Sequence, residues 1–417
     1  MLPPKVASAF LYNLQIISSD CMNLYPRDLR LTLDRLALQF PVIAITGPRQ
    51  SGKTTLARQA FPGKPYVSLE DPTELAFAQS DPRGFLHRFS GGAIFDEAQR
   101  WPDLFSYLQG LVDHDRVPGR FVLTGSQQFG LMAGVSQSLA GRVGLTRLLP
   151  LALSELHQTF STKSTLDLHA HLWCGGYPAL WQSLQNSLSA NDWFGSYIAS
   201  YVERDVRQLL QVQNLSTFQR FVRLCAARTG TLLNLMALAG DAGISHTTAR
   251  QWLSVLESSE LVFLLQPYHR NFGKRLVKTP KLYFTDTGLA AWLLGIRDPQ
   301  LLAIHPMRGP LFETWVVGEF RKFRLNRGLP DDLYFWRDNN GMEADLVFET
   351  DQGLQCVVIK SSQTITPDLV RAGQRASRFV TEPAPPPWLL HGAPENYTRE
   401  GVRCISWQQF AQPLTSL

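Results

Sequence analysis

The stretch from Pro41 to Phe61, PVIAITGPRQSGKTTLARQAF, decides how the rest of the chain is read. Val42–Thr46 is an apolar run of β type, Gly47–Thr54 fits GxxxxGK[ST], and Leu56–Phe61 opens a helix. Strand, glycine-rich loop and helix in that order form a phosphate-binding loop. Gly47 and Gly52 let the backbone curl until successive N–H groups point inward at phosphate oxygens. The positive end of the following helix adds to that field. The candidate nucleotide-binding residues are therefore Gly47, Pro48, Arg49, Gln50, Ser51, Gly52, Lys53, Thr54 and Thr55. Lys53 is placed to reach the β- and γ-phosphates, and the Thr54 hydroxyl to ligate Mg²⁺.

A nucleotide-hydrolysing loop needs a second acidic strand, and GAIFDE at 92–97 supplies it. Asp96 is the second candidate Mg²⁺ residue, acting through water, and Glu97 the residue that polarises the attacking water. A third strand is expected over Arg120–Gly125, ending near Thr124 and Ser126, where a polar side chain senses γ-phosphate or water. Beyond it, Arg142 in SLAGR is a candidate catalytic arginine, meeting a γ-phosphate in its own subunit or, in a homo-oligomer, a neighbour's. Arg204 in YVERDV is its rival, flanked by Glu203 and Asp205.

Outward from this core, composition sets bounds. At about 100–200 residues per domain, 417 residues imply several domains. With 44% hydrophobic residues the chain buries sizeable cores, which excludes a disordered protein. No apolar run approaches the ~18 residues of a membrane span, so no membrane partner is expected. Five scattered cysteines form no CxxC, which fits a reducing cytoplasm better than a disulfide framework. The first 21 residues read as a loose extension or a misassigned start rather than a signal peptide.

The formal charge of +5 is unevenly spread: residues 197–280 carry 10 basic and 5 acidic groups. Within that region LLNLMALAGDAGISHTTARQWLSVLE reads as helix, turn at Gly243, and a second helix over Thr247–Ser258 capped by Ser245. A strand-like Val262–Leu265 and the basic YHRNFGKRLVK follow. This is the pattern of a winged helix, whose candidate DNA contacts are Arg250 on the helix and Arg270, Lys274, Arg275 and Lys278 on the wing. A protein-interaction or lid module has the same pattern.

In the last third a long helix over Pro310–Gly328 carries Glu313, and strand-like runs cover Leu333–Arg337, Ala344–Phe348, Leu354–Ile359 and Trp388–His391. Glu313, Asp345 and Lys360 are spaced like the acids and lysine of a Mg²⁺-dependent nuclease. Such a site wants an acid two residues before the lysine, and Val358 stands there, sharing a strand face with Lys360 by the period of two. Glu343 is the nearest substitute. His169, His171 and Cys174 lack a fourth ligand at a usual metal spacing.

Taken together, GPRQSGKTTL, FDEAQR, LTGSQ, SLAGR, GGYP, YVERDV, NFGKRLVKTPKLYFTDTGLA and GMEADLVFE followed by VIKSS resemble one family. It comprises prokaryotic AAA+-type ATP-binding proteins whose C-terminal domain of unknown function is similar to restriction endonucleases. The resemblance covers roughly Leu24 to the C-terminus. It implies an extension over 1–24 and an α/β P-loop ATPase domain with a three-layer sheet over 25–155. It further implies a helical and winged-helix region over 156–295 and an α/β endonuclease-like domain over 296–417. It implies Mg²⁺-dependent hydrolysis of ATP beside a nuclease-like remnant at Glu313, Asp345 and Lys360, with Val358 departing from the family's acid. A nucleotide-gated DNA-binding or defence switch and an active nuclease are the competing readings.

Overall fold

The computed structural model describes residues 25–126, 138–159, 167–185, 189–201, 215–268, 278–338, 340–380 and 384–410. Arg204, Arg270, Lys274 and Arg275, and the extension over 1–24, lie outside the described residues.

The first body is built on a five-stranded sheet: β1 (Val42–Thr46), β2 (Tyr66–Ser68), β3 (Ile94–Asp96), β4 (Phe121–Thr124) and β5 (Val143–Arg147). The strands lie in the order β2-β3-β4-β1-β5 and all neighbours are parallel. Parallel strands buried on both faces read as continuous apolar runs, and the five residues of β1 are all buried. Their alternation feeds two cores. Val42 and Ala44 join Phe85, Phe95, Trp101 and Phe105 on one face. Ile43 and Ile45 join Leu29, Leu33 and Leu56 on the other, beneath the Arg30–Ala37 and Lys53–Ala60 helices. The result is the expected three-layer P-loop fold. Strands β2 and β5 were not foreseen.

The middle region begins with helices at Leu168–Cys174, Pro178–Gln185, Ala190–Tyr201 and Leu215–Ala226. The helix–turn–helix follows as Leu235–Ala242 and His246–Ser258. Gly243 ends the first in the left-handed region, φ +71°, and the Ser245 hydroxyl caps the second by accepting from Thr248 N at 3.0 Å. Trp252 packs edge-on against Phe218 and Phe221, fixing the second helix to its support.

A second sheet then runs through what was expected to be a boundary at 295/296. It contains β6 (Thr231–Leu232), β7 (Val262–Pro267), β8 (Lys281–Phe284), β9 (Tyr334–Arg337), β10 (Glu343–Thr350), β11 (Gly353–Lys360), β12 (Trp388–His391), β13 (Tyr397–Arg399) and β14 (Val402–Ser406). The order is β13-β14-β12-β11-β10-β9-β7-β8-β6, with the β7–β8 hairpin joined to β9 in parallel register. The hairpin and the C-terminal strands thus share one nine-stranded sheet. The Arg308–Asn326 helix contributes Leu311, Phe312 and Trp315 to the core on one face. The Pro367–Ala376 helix covers the other with Val370 and Ala376, and Val358 is buried in that second cluster with Cys356 and Leu389. Val358 therefore packs beneath a helix opposite to the one carrying Glu313, contrary to the expectation that it faces the acidic cluster.

The two bodies are joined by buried charge. Arg147, paired in register with Thr46 just before the phosphate loop, meets Glu260 at 3.1 Å. Glu260 also meets Arg321, which holds Asp331 at 2.7 Å. Lys322 donates to Leu151 O and to Glu319, and Glu319 accepts from Leu153 N.

Candidate functional site

The phosphate loop leaves β1 through Gly47, whose φ of +142° brings it so close to Leu148 O that a Cβ there would sit 2.1 Å away. Gln50 and Gly52 also have positive φ, +60° and +94°, so the loop closes on itself before the Lys53–Ala60 helix starts. Lys53 is buried, and its ammonium donates to Gly47 O (3.0 Å) and Pro48 O (2.8 Å). The Thr54 hydroxyl donates to both oxygens of Asp96, at 2.9 and 3.1 Å, at the end of β3. The loop and the second acidic strand therefore meet, as their spacing implied.

Asp96 accepts from two further hydroxyls, Thr124 at the end of β4 and Tyr66 (2.8 Å) in β2. Burial and the Asp96 carboxylate push the Tyr66 phenol up to about 12, so it stays a donor at neutral pH. Glu97 has a left-handed backbone, φ +54°, an unusual conformation for a side chain of that size. Its carboxylate accepts from Ser126 Oγ at 3.1 Å and from the Gln99 amide. Thr124 and Ser126 thus touch the two acids at the end of β4.

These groups border an open cavity of about 540 Å³, lined by Lys53, Thr54, Glu70 and Glu97 on the loop side. Tyr25, Pro178 and Tyr197 line the opposite lip. The GGYP motif shapes that lip. Gly176 N donates to Asp286 Oδ2 at 2.7 Å, and Asp286 also caps the Thr287–Leu293 helix through Leu289 N. Gly175 lies so close that a Cβ would come within 2.4 Å of Asp286 Oδ1. GGYP and FTDTGLA, 110 residues apart, are one contact.

Arg27 supports the loop from beneath. It donates to Ser51 O and Leu149 O, both at 2.6 Å, and pairs with buried Glu155 at 3.1 Å. Burial pushes the Glu155 carboxyl up, against the pull of Arg27 and of two backbone N–H groups. No sequence motif marked Arg27, because its partners lie 24 to 128 residues away.

Arg142 is not part of this assembly. It precedes β5 at the level where β1 begins, with Val42 N bonded to Arg142 O, whereas the phosphate loop leaves the other end of β1. Five residues of strand, roughly 16 Å, separate them. Its guanidinium pairs with Asp113 at 2.5 and 2.8 Å. Of the two placements left open for Arg142, its own subunit's γ-phosphate or a neighbour's, this position lies away from its own phosphate loop.

In the C-terminal body Glu313, Asp345 and Lys360 do come together, with two residues that sequence reasoning passed over or left aside. Lys281 Nζ, at the start of β8, lies 2.8 Å from Glu313 Oε1, 2.6 Å from Glu343 Oε1 and 3.9 Å from Asp345 Oδ1. Lys360 approaches Asp345 Oδ2 at 3.4 Å, and Arg337 approaches Glu343 Oε2 at 3.4 Å. Tyr283 donates to Glu313 Oε1 at 2.6 Å, and Ile359 N to Asp345 Oδ2 at 2.7 Å. Burial pushes Glu313 up, and Asp345 adds to it.

On the helix–turn–helix, His246, Thr247, Arg250 and Gln251 are exposed, as is Lys278 before β8. His171 is buried against Trp315, Trp407 and Trp181 and pushed down to about 3 by that burial. Cys174 is buried and pushed up to about 12. Among the described residues no helix is long and apolar enough to cross a membrane.

Three family profiles match the chain in succession. One is described as an AAA domain, over residues 39–157; the next two are domains of unknown function, DUF8612 over 165–300 and DUF4143 over 308–410. The chain is 34% identical over 379 residues to Uncharacterized protein Rv2008c of Mycobacterium tuberculosis, and equally to Uncharacterized protein Mb2031c of Mycobacterium bovis. These matches span 90% of this chain and 82% of each relative. Among solved structures, the Walker-type ATPase PABY2304 of Pyrococcus abyssi is similar at 15% identity, over 67% of this chain and 99% of that one, with a TM-score of 0.42.

Proposed function

The chain belongs to the same family as these two mycobacterial proteins, and from that premise we propose that it hydrolyses ATP to ADP and phosphate, with Mg²⁺, at the Gly47–Thr55 loop. One observation carries the reading: the Thr54–Asp96 hydrogen bond, 2.9 Å, brings the loop hydroxyl and the second acidic strand to one point, with Glu97 beside them on the cavity wall. The curled backbone of Gly47–Thr55 binds the phosphates and Lys53 neutralises their charge. Thr54 and Asp96 would hold Mg²⁺, which supplies positive charge to the phosphate oxygens. Glu97, steadied by Ser126 and Gln99, takes the proton of the attacking water. Arg27 keeps the loop seated while this happens. The four described cysteines are buried and free, which fits a cytoplasmic setting. Phosphate release by the purified chain, set against Lys53→Ala, tests the reading; equal rates in the two proteins would refute it.

A second reading is favoured by the exposure of His246, Thr247, Arg250 and Gln251 at the start of a capped helix beside an antiparallel hairpin. These features support a winged-helix reading, in which the second helix enters the major groove and nucleotide state governs access to DNA. Fluorescence anisotropy with a short duplex at ~50 mM salt tests it. Binding weakened by Arg250→Ala supports it, and no binding by the wild type removes it.

A further inference from the structure

We infer that Lys281 is the resident cation of the Glu313–Glu343–Asp345 cluster: its ammonium stands where a divalent ion would be bound, so this body is closed to metal-dependent cleavage. The inference deepens the reading of the C-terminal body as nuclease-like in build and does not rest on the nucleotide site.

The geometry is that of an ammonium among carboxylates. The 2.8 Å bond to Glu313 is an ordinary charge-assisted N–H···O length and Glu343 Oε1 forms an ion pair at 2.6 Å, both well beyond the about 2.0–2.1 Å to which Mg²⁺ draws oxygens. The Lys281 side chain is 4% exposed, and the Phe335 ring lies 5.5 Å from its nitrogen, closing one side of the nest. Other donors crowd the same carboxylates. Tyr283 occupies Glu313, Arg337 approaches Glu343, and Ile359 N with Lys360 occupies Asp345. Three carboxylates thus face three cations, Lys281, Lys360 and Arg337. A divalent ion would bring excess positive charge and would have to evict an ammonium rooted in a strand paired on both sides, to Leu265 and to Leu232. Glu313, Asp345 and Glu343 outweigh the burial of Lys281 and hold it charged beyond the ordinary lysine range. The arrangement also ties three elements together: the hairpin through Lys281, the long helix through Glu313, and β10 through Glu343 and Asp345. Its role is that of a joint.

The test uses Mn²⁺ alone, followed by the loss of its free-ion electron paramagnetic resonance signal, on the nucleotide-free full chain. In the wild type, Asp345→Asn should leave Mn²⁺ binding unchanged. In Lys281→Ala a new Mn²⁺ site should appear, at least about tenfold tighter than any binding by the wild type, and Asp345→Asn or Glu313→Gln should remove it. If Lys281→Ala does not accumulate as folded protein, refolding with ~1 mM Mn²⁺ should recover it, because the ion replaces the missing charge. Wild-type Mn²⁺ binding that Asp345→Asn abolishes would overturn the inference. So would a folded Lys281→Ala that gains no site, or an unfolded one that Mn²⁺ does not rescue.

Discussion

Asp96 and Glu97 receive their hydrogen bonds from neutral groups, the hydroxyls of Thr54, Tyr66, Thr124 and Ser126 and the amide of Gln99. Glu313, Glu343 and Asp345 surround a fixed ammonium. Both groups are carboxylates near strand or helix surfaces in a similar sequence setting, an apolar run bearing an acid. They differ in what neutralises them. Hydroxyls orient a carboxylate and leave its charge unspent, so it can still hold a cation and accept a proton. An ammonium spends the charge and keeps the acid as structure. Acid spacing alone therefore says little about metal chemistry until the nearest base is known.

The comparison can be broken by substitution. The largest effect is expected from Lys53→Ala, which removes the only charge contributed to the phosphates by the loop's own side chains besides Arg49; phosphate release should fall at least about 10²-fold, with nucleotide binding lost in a fluorescent-analogue titration. Next, Glu97→Gln should retain nucleotide but lower turnover by about 10²–10³-fold, because the amide cannot take a proton from water. Single-turnover kinetics beside the binding titration separate the two effects, and wild-type turnover would transfer the base role to another group.

A smaller effect concerns the packing of the second body. His171 is held neutral among Trp181, Trp315 and Trp407, its folded value near 3 against an ordinary 6.5. The unfolded chain therefore binds the extra proton first, and stability present above pH 6.5 is lost as the pH falls toward 3. At pH 5 the loss from this one group is about 2 kcal/mol. Urea denaturation at pH 7 and pH 5 reads it, and His171→Gln should flatten the difference by that amount. The smallest effect is expected from Tyr66→Phe. It removes one of the hydroxyls on Asp96 and should cost about 1 kcal/mol in transition-state stabilisation, a few-fold in kcat/KM. No change would mean that Thr54 and Thr124 orient Asp96 unaided.

Much of the nucleotide body was legible because its signals are local. Val42–Thr46, the glycines at 47 and 52, and the acids closing GAIFDE each announce themselves within a few residues. β5 was not legible, since Val143–Arg147 alternates buried and half-exposed positions and ends on the charge that pairs with Glu260. Tyr66 sits in a three-residue strand without a motif. In the second body the helix–turn–helix was readable from Gly243 and the Ser245 cap. The fusion of its hairpin to β9 was not, because Gln266 and Tyr334, which pair, stand 68 positions apart in the chain. Lys281 is the instructive case. Its sequence neighbours, KTPKLYF, suggest nothing acidic, and its partners arrive from a helix 32 residues on and a strand 62 residues on. The face of Val358 was misjudged for a related reason, the irregular register between Ala344 and Val347 in the neighbouring pairing.

The most direct test of the central contrast is a count of Mn²⁺ ions bound per chain in the presence of a non-hydrolysable ATP analogue, repeated with Asp96→Asn and with Asp345→Asn. The account predicts one ion in the wild type, its loss or marked weakening in Asp96→Asn, and no change in Asp345→Asn. Two ions per chain, with one lost in Asp345→Asn, would contradict it.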